Sequence, residues 1–200
     1  MDNRFAKTTI FTTIGANLLV LALALVYHWS ALTLLWSYWC ESIILIFFHR
    51  QKKRSEKRVS WWGYESNFLS YVFLHIGYLT ILMILSLLST TGGGYLTSKS
   101  GKVIGHFTLE APDFWYVALG AGIFFLSHLF SFLVYREKRK GIDTLGARIA
   151  VMHVTIIIGV IITVKVSSVW LLPIFIGIKT ISDLHAHITE HWGGYAGILK

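Results

Sequence analysis

Residues 168–191 read SVWLLPIFIGIKTISDLHAHITEH. The first half is almost wholly apolar. The second half holds Lys179, Asp183, His185, His187, Glu190 and His191. A soluble helix buries one stripe and wets the other, whereas this one changes character along its length. Such a change fits a helix that starts in lipid and carries its polar groups toward one membrane face. Ionisable groups within a span are expensive and normally face the bundle interior or a water-filled cavity.

The rest of the chain supports a membrane reading. Of 200 residues, 54% are hydrophobic and only 14% are charged, and the mean hydropathy is +0.61. The apolar residues lie in long blocks at about 8–28, 31–49, 67–89, 113–135, 147–167 and 169–190. Blocks of roughly eighteen or more nearly uncharged residues are expected to be transmembrane helices. The fold expected is an all-α, polytopic bundle of six transmembrane helices in a single integral membrane domain, residues 1–200. The first block is too long for a signal-peptide core and runs almost directly into the next, so it reads as a retained helix. The single cysteine, Cys40, allows no internal disulfide and reads as a packing residue.

Net charge is +8, and its distribution sets the orientation. RQKKRSEKR (50–58) and REKRKG (136–141) fall on one side of an alternating six-span bundle, with Arg4, Lys7, Arg148 and Lys200. Lys99, Lys102 and Lys165 fall on the other. The positive-inside rule then places both termini in the cytoplasm, in a membrane of the prokaryotic inner-membrane type. Anionic lipid headgroups, rather than nucleic acid, are the partner expected for the basic loops. Trp61, Trp62 and Tyr64 fit an interfacial belt. In the outer loop, 90–112, Gly92–Gly94 mark a flexible or tightly turning stretch, and Pro112-Asp113 marks the start of the fourth helix.

With a rise of 1.5 Å per residue, Glu41, His75, His128, His153 and Asp183 each fall roughly 12 Å inside the cytoplasmic face, and His187 lies one turn nearer the surface. Faces agree with depth. Lys179, Asp183 and His187 share a stripe; so do Ser37 and Glu41; Tyr71, His75 and Tyr78; and His128, Ser131 and Tyr135. Thr13 and Asn17 make a weaker stripe on the first helix, and His185 faces away from Asp183. His28, His49 and His106 lie near or beyond the membrane edges and receive no role.

Imidazole and carboxylate from several helices are the usual material of a divalent-metal site. The expected ligands are His75, His153 and His187, with Asp183, Glu41 or His128 as a fourth ligand or a supporting partner. Zinc is the expected ion. A zinc ion polarises a carbonyl and acidifies a bound water. Glu41 or Asp183 would serve as general base, and Lys179 or Arg148 would stabilise an oxyanion or headgroup phosphate. The substrate class expected is a lipid or another membrane-accessible molecule. Three alternatives use the same residues. One is a structural network, with Lys179 paired to Asp183 and Glu41 to Arg148 or a protonated histidine. One is metal or proton transport, against which the outer half shows few polar residues and no continuous path. The third is bis-histidine haem, from His75 with His128 or His153.

SYWCESIILIFF (37–48), YVFLHIGYL (71–79), LSHLFSFLVYREKR (126–139), RIAVMHVTIIIG (148–159) and IKTISDLHAHITEH (178–191) together resemble a prokaryotic membrane family catalogued as a domain of unknown function. The matching positions are Glu41, His75, His128, Arg148, His153, Lys179, Asp183 and His187. That family often has a second histidine later in its third helix, where this chain reads LTILMIL (79–85). The resemblance implies a family and supplies no activity. In chemistry alone the chain is similar to the adiponectin-receptor and alkaline-ceramidase superfamily of zinc-dependent membrane hydrolases. Ser37, His187 and His191 would be the counterparts there, although that fold has a seventh helix and a different residue order.

Overall fold

A computed structural model describes residues 3–55, 66–90, 94–97, 101, 103–107, 110–135, 154, 157, 173–174 and 176–185. Four complete helices are present among them: α1 (Asn3–Val26), α2 (Ala31–Ser55), α3 (Ser66–Thr90) and α4 (Phe114–Tyr135). Residues 173–174 and 176–185 are helical as well, as are 154 and 157. Most of the expected fifth span, 147–167, and the ends of the sixth lie outside the described residues. Among the described residues, three stretches are long and apolar enough to cross a membrane: Ala31–Gln51, Tyr71–Thr90 and Phe114–Val134. The apolar part of α1, Ile10–Val26, is shorter. Phe11, Phe73, Leu87, Trp115, Leu126 and Ile181 are all exposed. Apolar surface on this scale belongs in lipid rather than in water.

One departure from an all-helical chain lies in the 90–112 loop. Strands β1 (Gly94–Thr97) and β2 (Val103–Phe107) pair there as an antiparallel hairpin. From sequence this loop reads as a turn, because Gly92–Gly94 dominates the local signal. Gly101, between the strands, has a φ of 76°, a conformation that glycine adopts without a Cβ penalty.

The α1–α2 connection shows how short the hairpin link is. His28 adopts a φ of 51°, and Trp29 N–H donates to the Ala24 carbonyl at 2.9 Å. This six-to-one bond is the Schellman helix end, with histidine in the place glycine usually takes. Two residues later the next helix is already capped, since Thr33 N–H donates to Ser30 Oγ at 3.1 Å.

α2 is the central helix. Within its span 61% of the residues are buried, against 17% in α3 and in α4. It packs against both α3 and α4, and α1 packs on α4. Trp36, Tyr38, Leu34 and Leu35 of α2 join Val20 and Ala24 of α1, Tyr78 and Leu82 of α3, Phe124 of α4 and Ile176 in one core. Cys40 is half-buried against this core, as a packing residue should be.

α2 and α4 run parallel, and their contacts advance together. Asp113 N–H donates to Thr33 Oγ1 at 3.0 Å, and Ser30 Oγ donates to the Ala111 carbonyl at 3.2 Å. One turn on, Gly120 faces Ser37. Further along, His128 reaches Glu41. Asp113 caps α4 through Trp115 N–H at 2.9 Å, in agreement with the helix start read from Pro112-Asp113.

Candidate functional site

The site is built around a lysine. Lys179 is 2% exposed, and its ammonium group sits where α1, α2, α4 and the 176–185 helix meet. Nζ donates to Glu41 Oε1 at 3.0 Å and to Asn17 Oδ1 at 3.4 Å. It also donates to Asp183 Oδ2, one turn along its own helix. An ammonium has three protons to give, and here each has an acceptor. Tyr38 and Phe124 close the cage, each with its ring centroid 5.1 Å from Nζ. Such placement adds cation–π attraction, which is worth about 2 kcal/mol or more when the cation is desolvated.

The carboxylates are tied in turn. Asn17, 1% exposed, donates from Nδ2 to Asp183 Oδ2 at 3.2 Å. Glu41, 3% exposed, lies with Oε1 3.3 Å from His128 Nε2. Because an ionised carboxylate only accepts, that imidazole nitrogen carries a proton. Glu41 Oε2 lies 2.9 Å from Nζ in an ionic contact, yet it has no directed hydrogen bond among the described residues. Asp183 and His128 side chains are 21% and 16% exposed, so the cluster is sealed at Lys179 and Glu41 and opens on their side.

The formal charges of the cluster do not cancel. Glu41, Asp183 and Lys179 sum to one negative charge. A second proton on His128 would bring the sum to zero.

Among the described residues, the hydrogen bonds of His75 run along another seam of α2. Its Nε2 lies 2.7 Å from Ser42 Oγ, and its Nδ1 donates to the Tyr71 carbonyl at 2.8 Å. Ser42 Oγ is also 2.7 Å from the Trp39 carbonyl, to which it donates. The three contacts form together only if both ring nitrogens of His75 carry protons; a neutral ring leaves Ser42 to choose between the ring and the carbonyl. His75 therefore shares the depth of Glu41 and occupies the opposite seam, between α2 and α3. His185 is exposed, in line with the expected turn away from Asp183. Arg148, His153 and His187 lie outside the described residues.

Two features of the cluster carry little signal in the sequence. Asn17 belongs to the cage and bridges Lys179 and Asp183. The second is a row of hydroxyls on the buried face of α2. Ser30, Thr33 and Ser37 are all buried and lead at helical spacing to Glu41. Ser30 Oγ and Thr33 Oγ1 are 2.9 Å apart, and Ser37 Oγ donates to the Thr33 carbonyl at 2.8 Å. The row continues the polar line from the cluster toward the far end of α2.

Comparison with known proteins fits the pattern of residues. The family described as "Family of unknown function (DUF6498)" matches residues 1–193. The chain belongs to that family. No curated protein and no solved structure matches it. Among the described residues, no group of three or more His, Cys, Asp or Glu is arranged to hold a metal ion. Lys179 occupies the space between the two carboxylates, and among the described residues His128 and Glu41 are the imidazole–carboxylate pair of that cluster.

Proposed function

We propose that the protein is a six-span inner-membrane protein with cytoplasmic termini, in which the Lys179 cluster is a proton-binding centre serving proton transport. The spacing of polar side chains on the buried face of α2 carries this reading: Ser30, Thr33 and Ser37 recur at helical intervals toward Glu41, where His128 and the Lys179 cage begin. Ionisable residues inside spans commonly mark ion pathways and proton relays. The positive-inside rule puts Arg50 and the basic end of α2 toward the cytoplasm, the side from which a proton would reach Asp183 and His128. His128 would take the proton that neutralises the cluster, and Glu41 would hold it in place. The hydroxyl row, with intervening water, would supply the route from the other side.

The test is proton flux into pyranine-loaded proteoliposomes under an imposed potassium diffusion potential. Flux above that of protein-free vesicles is expected, lost in Glu41→Gln and reduced in Thr33→Val. Flux no greater than in protein-free vesicles would overturn the proposal.

A second reading is a zinc-dependent membrane hydrolase, favoured by the His128–Glu41 pair, which offers one nitrogen and one oxygen ligand on facing helices. The fit is partial. Lys179 already neutralises Glu41 and Asp183, so an ion would have to bind on the His128 side of Glu41, with His153 and His187 completing its ligands. Zinc would supply an acidified water, and Lys179 would hold a developing negative charge. Elemental analysis of the purified protein checks this reading: about one equivalent of zinc, lost in His128→Ala, favours it. A visible spectrum of the same sample shows whether haem is bound.

A further inference from the structure

Gly120 lies outside the cluster, yet the approach of α2 to α4 depends on it. A Cβ at Gly120 would stand 2.8 Å from Ser37 Oγ, 3.1 Å from Ser37 Cβ and 3.4 Å from Trp29 Cζ3. The first contact does not relax freely, because Ser37 Oγ is committed to the Thr33 carbonyl at 2.8 Å. The second cannot be rotated away, because Cβ is fixed to the backbone. Gly122, two residues further along the same helix, would meet nothing within 4 Å. The need for glycine is therefore specific to position 120 and is not a matter of helix composition.

Gly120, Phe124 and His128 occupy one stripe of α4, at i, i+4 and i+8. Ser37 and Glu41 occupy the matching stripe of α2. The helices are held at one end by Asp113 and Thr33, touch most closely at Gly120, and present His128 to Glu41 beyond that point. The Glu41–His128 separation of 3.3 Å is already just beyond the usual 2.7–3.2 Å of an N–H···O bond. A separation of a few tenths of an ångström between the helices therefore breaks the contact. Small residues at helix contacts are the usual means of close approach in membranes.

We infer that Gly120 is a positioning residue: by allowing α4 onto Ser37 it sets the reach of His128 to Glu41, and so the proton-binding property of the cluster. This rests on the reading of Glu41 and His128 as partners within the centre.

The test is a double-mutant cycle on the full chain in detergent, read as thermal midpoints. Glu41→Gln, His128→Gln and their combination are made in four backgrounds: parent, Gly120→Ala, Gly122→Ala, and Ser37→Gly with Gly120→Ala. In the parent, the double variant should fall short of additivity by about 2–4 °C. Gly122→Ala should keep that coupling, Gly120→Ala should abolish it, and adding Ser37→Gly should restore it, because the opposing Oγ and Cβ are gone. Coupling that persists unchanged in Gly120→Ala overturns the role of Gly120. Coupling absent from the parent overturns the Glu41–His128 partnership itself. If Gly120→Ala does not fold, the Ser37→Gly/Gly120→Ala chain decides: folded with coupling supports the inference, and folded without it overturns the inference.

Discussion

Glu41 and Ser42 are neighbours on α2, at one depth, each facing a histidine of another helix. Their surroundings differ completely. Glu41 meets His128 and an ammonium inside a cage of charge. Ser42 meets His75, whose other ring nitrogen is spent on a carbonyl of its own helix. A step of one residue turns the helix by about 100°, enough to separate an electrostatic centre from an ordinary interhelical hydrogen bond. Similar depth therefore does not make two histidines members of one site. The partner decides, and α2 stands between the two seams as their divider.

Removing Lys179 should produce the largest difference between the seams. Lys179→Ala leaves the buried Glu41 and the half-buried Asp183 without their shared cation. Breaking a buried pair in this way costs about 3–5 kcal/mol. Unfolding by SDS, followed by circular dichroism, should show a loss of that order. A loss below about 1 kcal/mol would mean that the ammonium is solvated and that the cage adds little. Changing Lys179→Met together with Glu41→Gln and Asp183→Asn should recover much of the loss, because no uncompensated charge is then left behind.

A smaller effect separates the histidines directly. Coupled with Glu41→Gln, His128→Gln should show an interaction energy of at least about 0.5 kcal/mol, whereas His75→Gln should be additive within about 0.5 kcal/mol. The expected loss for His75→Ala alone is about 0.6–2 kcal/mol, the range for hydrogen bonds between helices in membranes. Ser42 retains the Trp39 carbonyl as an acceptor in that variant, which limits the damage. Strong coupling of His75 to Glu41 would merge the two seams and undo the contrast.

Much of this architecture was legible before any coordinates. Apolar runs located α2, α3 and α4, because twenty uncharged residues have few alternatives to spanning lipid. The i, i+4 spacing correctly grouped Lys179 with Asp183, since local helix geometry fixes it. Asp113 was readable as a cap from its place after Pro112. Partnership across helices was not readable. Depth can be counted along one chain, but the angle at which two helices meet depends on their packing, and so His75 was grouped with Glu41. Asn17 stood out as a polar residue in an apolar run, yet its partners are 162 and 166 residues away. The hydroxyl row was overlooked for another reason: serine and threonine can satisfy themselves on their own helix, so their presence in a span carries little signal until burial is known.

The smallest effect belongs to His185, two residues after Asp183. Local sequence would place it beside the cage, but the helix turns it outward, and it is exposed where Asp183 is only partly so. His185→Ala should therefore change stability by no more than about 0.5 kcal/mol and leave proteoliposome proton flux unaltered, while Asp183→Asn lowers both. Equal losses in the two variants would mean that the far side of the 176–185 helix also feeds the cluster. The boundary of the centre would then have to be drawn around the helix rather than through it.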